Sequence, residues 1–392
     1  MRANAAESLG YFPRKGRRAI PDLLELLGDK HLKVRQATIL SLGELGGSSA
    51  PARQAVMAFV NDSDPVTRRN VVVALANMGH VDEKTGPILF ESLASETEAT
   101  AKAARKALFK LGKKEPEKVL PGLAKILEDS KEPGAKNALK VLRRLRLKAV
   151  PVLPQIARAY DKIDPENRWR VIETVVTIDK KGDVAAPVLS KALKDSDSFI
   201  RREALLGLMR YRSRLNLYLD DILEALKDDE MENRLVAIGL IRSLGRKADK
   251  AVPELIRLTK DPADRMRRTA ARSLSIFSPP KEEVLKALDE SLKDSDDKVR
   301  VAAVYSLRRL GLTDAEKVVP ILENARAADQ SAKVKRVIKS ALRSLPKTRR
   351  EPEGRPGVAP EKRREEKRRV IEPQRHRDTE KAISTRQSTQ EE

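Results

Sequence analysis

The sequence predicts an all-α fold: a right-handed α-solenoid of about ten helix–turn–helix units, preceded by half a unit. Three observations predict it. A pattern recurs every 33 residues from the first residues to about residue 345. Each copy places apolar residues at helical spacing. The composition is rich in Ala, Leu and long charged side chains and holds only 3% aromatics, which favours helix over sheet. A repeat of this period is one supersecondary unit that cannot bury its apolar face alone, so neighbours stack into one continuous core.

The second helix of each unit, helix B, carries the clearest signal. Within DSDDKVRVAAVYSLRRLG (residues 294–311), Arg300 has counterparts at Arg2, Arg35, Arg68, Arg168, Arg201, Arg234 and Arg267, with Lys335 last. Ala101 and Ala135 stand at this anchor in two units. Seven residues beyond the anchor come Leu42, Leu75, Leu108, Leu142, Val175, Leu208, Ile241, Leu274, Leu307 and Leu342. With positions +3 and +10 these form one buried helix face. The turn before helix B is equally regular. Six residues before the anchor stand Asp29, Asp62, Asp129, Asp195, Asp228, Asp261, Asp294 and Asp329, with Ser95 and Lys162 as exceptions. Asp64-Pro65 and Asp164-Pro165 read as an N-cap followed by a first-turn proline. Helix A is marked by AIPDL (19–23), VLPGL (119–123), VLPQI (152–156), AAPVL (185–189), AVPEL (251–255) and VVPIL (318–322). A proline there starts or kinks a helix, because its missing N–H is harmless in the first turn.

These motifs resemble the short HEAT-like repeats common in bacterial proteins, including those of the phycobilin-lyase type. The resemblance covers about 345 of 392 residues. The Thr-Pro-Leu-His tetrapeptide of ankyrin repeats is absent, and the Asp–Arg pattern is not that of tetratricopeptide repeats. The resemblance implies that Asp and Arg form a ladder linking the turn of one repeat to the next. The ladder set is Asp29, Arg35, Asp62, Arg68, Asp195, Arg201, Asp228, Arg234, Asp261, Arg267, Asp294 and Arg300. A partly buried pair of this kind contributes about 1–3 kcal/mol. Where Ala101 and Ala135 replace the anchor, a looser or re-angled junction is expected.

The expected domains are a solenoid over 1–345, with a half repeat at 1–16 and ten repeats at 17–345, and a charged, disordered tail over 346–392. The tail holds 14 Lys and Arg against 10 Asp and Glu, a net +4 of the chain's +22, so most of the positive charge belongs to the array. The last helix B has the polar outer face of a terminal cap, whereas residues 1–13 form a helix B without its helix A. This asymmetry suggests that the natural array starts upstream of Met1; the rival reading makes the half repeat itself a cap.

In this architecture helix B lines the concave side. Its solvent positions, taken as +1, +5, +8 and +9, hold a row of cations whose candidate binding set is Arg69, Lys102, Lys106, Lys136, Lys140, Arg143, Arg202, Arg242, Arg268, Arg272 and Arg308. Over the ten full repeats the same positions hold two acids, Glu44 and Glu173. Such a face suits an acidic protein segment. A nucleic-acid backbone is the alternative partner, read by charge and shape because stacking aromatics are scarce. The same face also serves simply to solubilise a long protein.

The sequence favours no catalysis and no cofactor. It has no cysteine and three histidines, none followed by Glu, so the His-Glu iron ligands of HEAT-type deoxyhypusine hydroxylases are missing. Gly112-Lys113-Lys114 lacks the rest of a phosphate loop. Asp294, Asp296 and Asp297 imitate the start of a calcium loop without its central Gly or closing Glu. HEAT-like DNA glycosylases are a relevant relative, because Trp169 lies between Arg168 and Arg170 with Glu173 nearby. A lone Trp more often packs a repeat junction. No apolar run spans a membrane. A monomer is the expected state, and the cytoplasm the default compartment.

Overall fold

The structure is a computed structural model that describes residues 1–12, 15–47, 49–79, 82–129 and 132–346; the tail expected over 346–392 lies, apart from Pro346, outside the described residues. The described residues form helices and turns. α1 (Arg2–Gly10) stands alone, followed by helix pairs that alternate a first helix (A) with a second (B). The pairs are α2 (Ile20–Leu26) with α3 (Leu32–Leu45), α4 (Ala50–Met57) with α5 (Pro65–Met78), α6 (Thr85–Glu91) with α7 (Glu98–Lys114), and α8 (Pro116–Asp129) with α9 (Gly134–Leu145). Then come α10 (Leu153–Arg158) with α11 (Arg168–Ile178), α12 (Ala185–Ala192) with α13 (Ser198–Leu208), and α14 (Leu219–Ala225) with α15 (Met231–Leu244). The last are α16 (Val252–Leu258) with α17 (Asp264–Ser273), α18 (Glu282–Ser291) with α19 (Asp297–Gly311), and α20 (Ala315–Ala328) with α21 (Ala332–Ser344).

One hydrophobic core runs through the stack. Anchor +3 and +7 side chains such as Ala138, Leu142, Ala204, Leu208, Ala303 and Leu307 are buried in it. Each B helix packs on the next from α1 to α21, and successive A helices meet less extensively. The B row is therefore the closer-packed one, as an inner row must be. Its tightest approach lies between α3 and α5. A Cβ on Gly43 would come within 2.5 Å of the Ala74 backbone, so only glycine permits this contact.

The prolines act in two ways. Pro21, Pro154 and Pro253 sit in the first turn of α2, α10 and α16, where no intrahelical donor is lost. Pro121 and Pro320 lie inside the longer α8 and α20. The two Asp-Pro pairs also diverge. Asp64 caps α5, its side chain accepting from the Thr67 N–H, with Pro65 as the first helical residue. Asp164-Pro165 instead opens a 3-10 turn that leads into α11, and the Asp164 side chain caps nothing.

Candidate anion-binding face

The turn aspartates and anchor arginines set the register of the B helices. The Asp carboxylates accept from the N–H two residues on wherever that residue is described, as Asp62 from Asp64, Asp195 from Asp197 and Asp294 from Asp296. Most of the arginines donate through Nη1 to the two carbonyls at the start of their own turn: Arg201 to Asp195 and Ser196, Arg234 to Asp228 and Asp229, Arg267 to Asp261 and Pro262. The rest of the guanidinium reaches the next repeat. Arg201 grips Asp228 at 2.6 and 2.9 Å, and Arg267 grips Asp294 at 2.7 and 3.0 Å. Arg300 meets Asp329 at 2.9 Å, Arg168 meets Asp195 at 2.9 Å and Arg234 meets Asp261 at 3.2 Å. Burial would raise the Asp228 carboxyl, but the Arg201 guanidinium and the Glu230 N–H outweigh it and hold the group at about 2.

Two members of the expected ladder do not bridge repeats. Arg35 and Arg68 bond only to carbonyls of their own turns, Asp29 and Lys30 for one, Asp62 and Ser63 for the other. For Arg68 the reason is chemical, since Ser95 stands where the next carboxylate would be. Between α3 and α5 an amide takes over: Gln36 donates to Asp64 at 2.7 Å. Further on, Arg105 bridges α7 to α9 by donating to Asn137 at 2.7 Å while pairing with Glu98 at 2.5 Å. The α3–α5, α5–α7, α7–α9 and α9–α11 junctions are thus built without an anchor rung. N-terminal to them, Arg2 of α1 still reaches Asp29 at 2.7 Å.

The candidate cations divide by exposure. Lys102, Lys106, Arg242, Arg272 and Arg308 are exposed; Arg69, Lys136, Lys140, Arg143, Arg202 and Arg268 are half-buried. The expected solvent positions therefore need correction. Position +5 and +9 side chains are half-buried to exposed throughout, whereas +1 is mostly half-buried. Position +8 is buried at Gly43, Ala76, Val176 and Ser275, where small or β-branched residues let neighbouring B helices close over it. Some cations already have partners: Arg69 donates to Asn70, Arg143 pairs with Glu173, and Arg202 lies 5.5 Å over the Phe199 ring.

The densest positive region spans α7, α9 and α11. Burial, then the neighbouring Arg105 and Arg170 cations, push the Lys140 ammonium below its usual range. Sequence reasoning did not include Arg105 and Arg170, because they sit at +4 and +2, positions that alone imply no exposure. Arg170 stacks on Trp169 at 4.2 Å, and Trp169 meets Phe199 edge-on at 6.3 Å. The acid expected near this tryptophan, Glu173, is engaged by Arg143, and Arg168 is committed to Asp195. The constellation is a packed junction with a cationic rim. The calcium-like acids have structural partners too: Asp294 holds Arg267, Asp296 caps α19, and Asp297 accepts from Ser331. Among the described residues, no cluster of His, Asp or Glu is placed to hold a metal ion, and no helix is long and apolar enough to cross a membrane. On the A side, a cleft of about 860 Å³ opens between α6 and α8, lined by Pro87, Phe90, Gly122 and Ile126.

The fold defines an α-solenoid repeat protein, with exposed cations along its B helices. The family model for HEAT repeats matches residues 1–54, 120–209 and 219–308, and the chain belongs to the HEAT repeat family. Comparison with curated proteins gives no match. Among solved structures, the chain is similar to Kap121p bound to Pho4p, at 15% identity and a TM-score of 0.53, over 86% of this chain and 43% of that one. It is similar to the karyopherin Kap121p bound to the SUMO protease Ulp1p, at 15% identity and a TM-score of 0.54, over 85% and 41%. A homology model of the full-length AP-3 complex gives 14% identity and a TM-score of 0.50, over 87% and 72%. The chain thus spans less than half the length of Kap121p, and the likeness is one of fold.

Proposed function

We propose that this protein is a non-catalytic scaffold whose B-helix face binds an acidic protein segment. The observation that carries the reading is the gathering of Lys140, Arg105 and Arg170 on one partly buried stretch of the face, where burial first and the neighbouring cations second lower the affinity of Lys140 for a proton. Cations gathered on one wall repel one another and cost stability, and an anionic partner would relieve that cost. Kap121p, similar in fold, has been solved bound to Pho4p, Nup53p and Ulp1p, which agrees with a protein partner for a repeat stack of this kind.

The test is binding of a labelled oligoglutamate peptide and of duplex DNA to the full chain over a salt series. The proposal expects peptide binding that weakens with salt and is lost when Arg268, Arg272 and Arg308 are changed together to Glu. Retained capture by that variant contradicts the face. Tighter binding of duplex DNA with a steep salt dependence supports a phosphate backbone as the partner instead.

A further inference from the structure

We infer that the α13–α15 part of the B face is an apolar anchoring site set between two cationic stretches, and that it takes a partner segment with an apolar side chain between two acidic clusters. This deepens the reading above and rests on it. On α13 and its cap, Phe199, Arg202, Leu206 and Met209 follow one another at i, i+3, i+7 and i+10, which places them on one stripe. Phe199, Leu206 and Met209 are 39%, 42% and 40% exposed, unusual values for three large apolar side chains on one helix face. On α15 the stripe continues with half-buried Leu235 and Val236. Gly239 follows, where an added Cβ would meet nothing within 4 Å, so the surface above the helix is open.

Cations bracket this window. Lys136 and Lys140 on α9 and Arg170 on α11 lie on one side; Arg268 and Arg272 on α17 lie on the other. Arg202 on α13 and Arg242 on α15 continue the basic row through the window, and here exposed apolar side chains stand beside them. Neighbouring helix axes lie about 8–10 Å apart, so α11 to α17 is about 24–30 Å. An extended chain crosses that distance in about eight residues. Charge complementarity selects the occupant. A uniformly acidic segment leaves Phe199 and Leu206 unmatched, and a purely apolar one leaves the flanking cations unused. An aromatic side chain within a polar rim is the usual form of an interface anchor.

Trp169, the one tryptophan of the chain, touches Phe199 and so reports on this site. The experiment titrates the full chain with two peptides, each holding two tetraglutamate blocks about eight residues apart. One spacer is Gly and Ser; the other includes a Phe and a Leu. The Phe/Leu peptide is expected to bind about tenfold tighter and to shift Trp169 emission, while the Gly/Ser peptide binds without that shift. The double variant Phe199→Ser, Leu206→Ser, at two exposed positions, should erase the tenfold difference and leave the Gly/Ser affinity unchanged, with circular dichroism confirming its fold. Equal affinities for the two peptides overturn the anchoring site and leave the basic face standing. Equally tight binding of a Phe/Leu peptide with Ser in place of Glu overturns the acidic flanks. Failure of both peptides, with duplex DNA bound instead, overturns this inference and the proposed function together.

Discussion

The junctions from α3 to α11 and those from α11 to α21 solve one problem in two ways. In the C-terminal stretch each B helix is tied to the next by a guanidinium that reaches the following carboxylate and, beyond Arg168, also holds its own turn, as Arg201 does with Asp228. In the N-terminal stretch Arg35 and Arg68 stop at their own turns, and Ala101 and Ala135 offer nothing. Amides and Arg105 bridge there instead. The same region gathers Lys102, Lys106, Lys136 and Lys140 on its face. Where charge fastens the stack it is paired with a buried turn carboxylate; where it crowds the face its contacts are amides, as Lys140 to Asn137, or more exposed acids, as Arg105 to Glu98. The difference teaches that one residue type serves structure in one region and is left available for binding in the other.

The widest break in this comparison comes from removing a rung. Asp228→Ala strands the half-buried Arg201 and is expected to cost about 3 kcal/mol in denaturant unfolding. Removing Glu98 beside Arg105 should cost under about 1 kcal/mol, because that carboxylate is largely exposed. The second test is acid. The Asp228 carboxyl is held at about 2 against an ordinary value of 3.8, so its contribution is complete above pH 3.8 and disappears as pH falls through 2. At 1.36 kcal/mol per unit this is about 2 kcal/mol, and urea unfolding of Asp228→Asn should lack that part of the pH dependence. The third test rebuilds a rung. Ala101→Arg faces Asp129 and is expected to stabilise by about 1 kcal/mol, whereas Ala135→Arg faces Lys162 and should destabilise by a similar amount. The smallest effect is at the crowded face. Lys140→Met removes a repelled cation, so thermal unfolding should shift upward by the equivalent of about 0.5 kcal/mol while affinity for acidic peptide falls.

Much of this was legible in the sequence, because burial in a stacked array repeats with the period. Leu42, Leu142 and Leu307 occupy equivalent core positions whatever their neighbours do. The turn aspartates were legible for the same reason, since their N–H partners lie two residues away. The half-buried +8 position was not, because it depends on how closely two helices meet, as Gly43 against Ala74 shows. Nor was the replacement of the ladder by Gln36 and Arg105, whose partners lie 28 and 32 residues away and outside the anchor pattern. The apolar window was legible in part: Leu206 and Met209 stand at +5 and +8, positions taken as exposed, but those positions were read for their cations, and Phe199 precedes the anchor pattern.

Hydrogen–deuterium exchange of the full chain, alone and with saturating acidic peptide, tests the central claim most directly. Without peptide, the N-terminal turns of α13, α15, α17 and α19 should exchange more slowly than those of α5, α7 and α9. With peptide, the B helices from α7 to α17 should slow further while the A helices stay unchanged. Uniform exchange along the stack, or protection that falls on the A helices, would contradict the account.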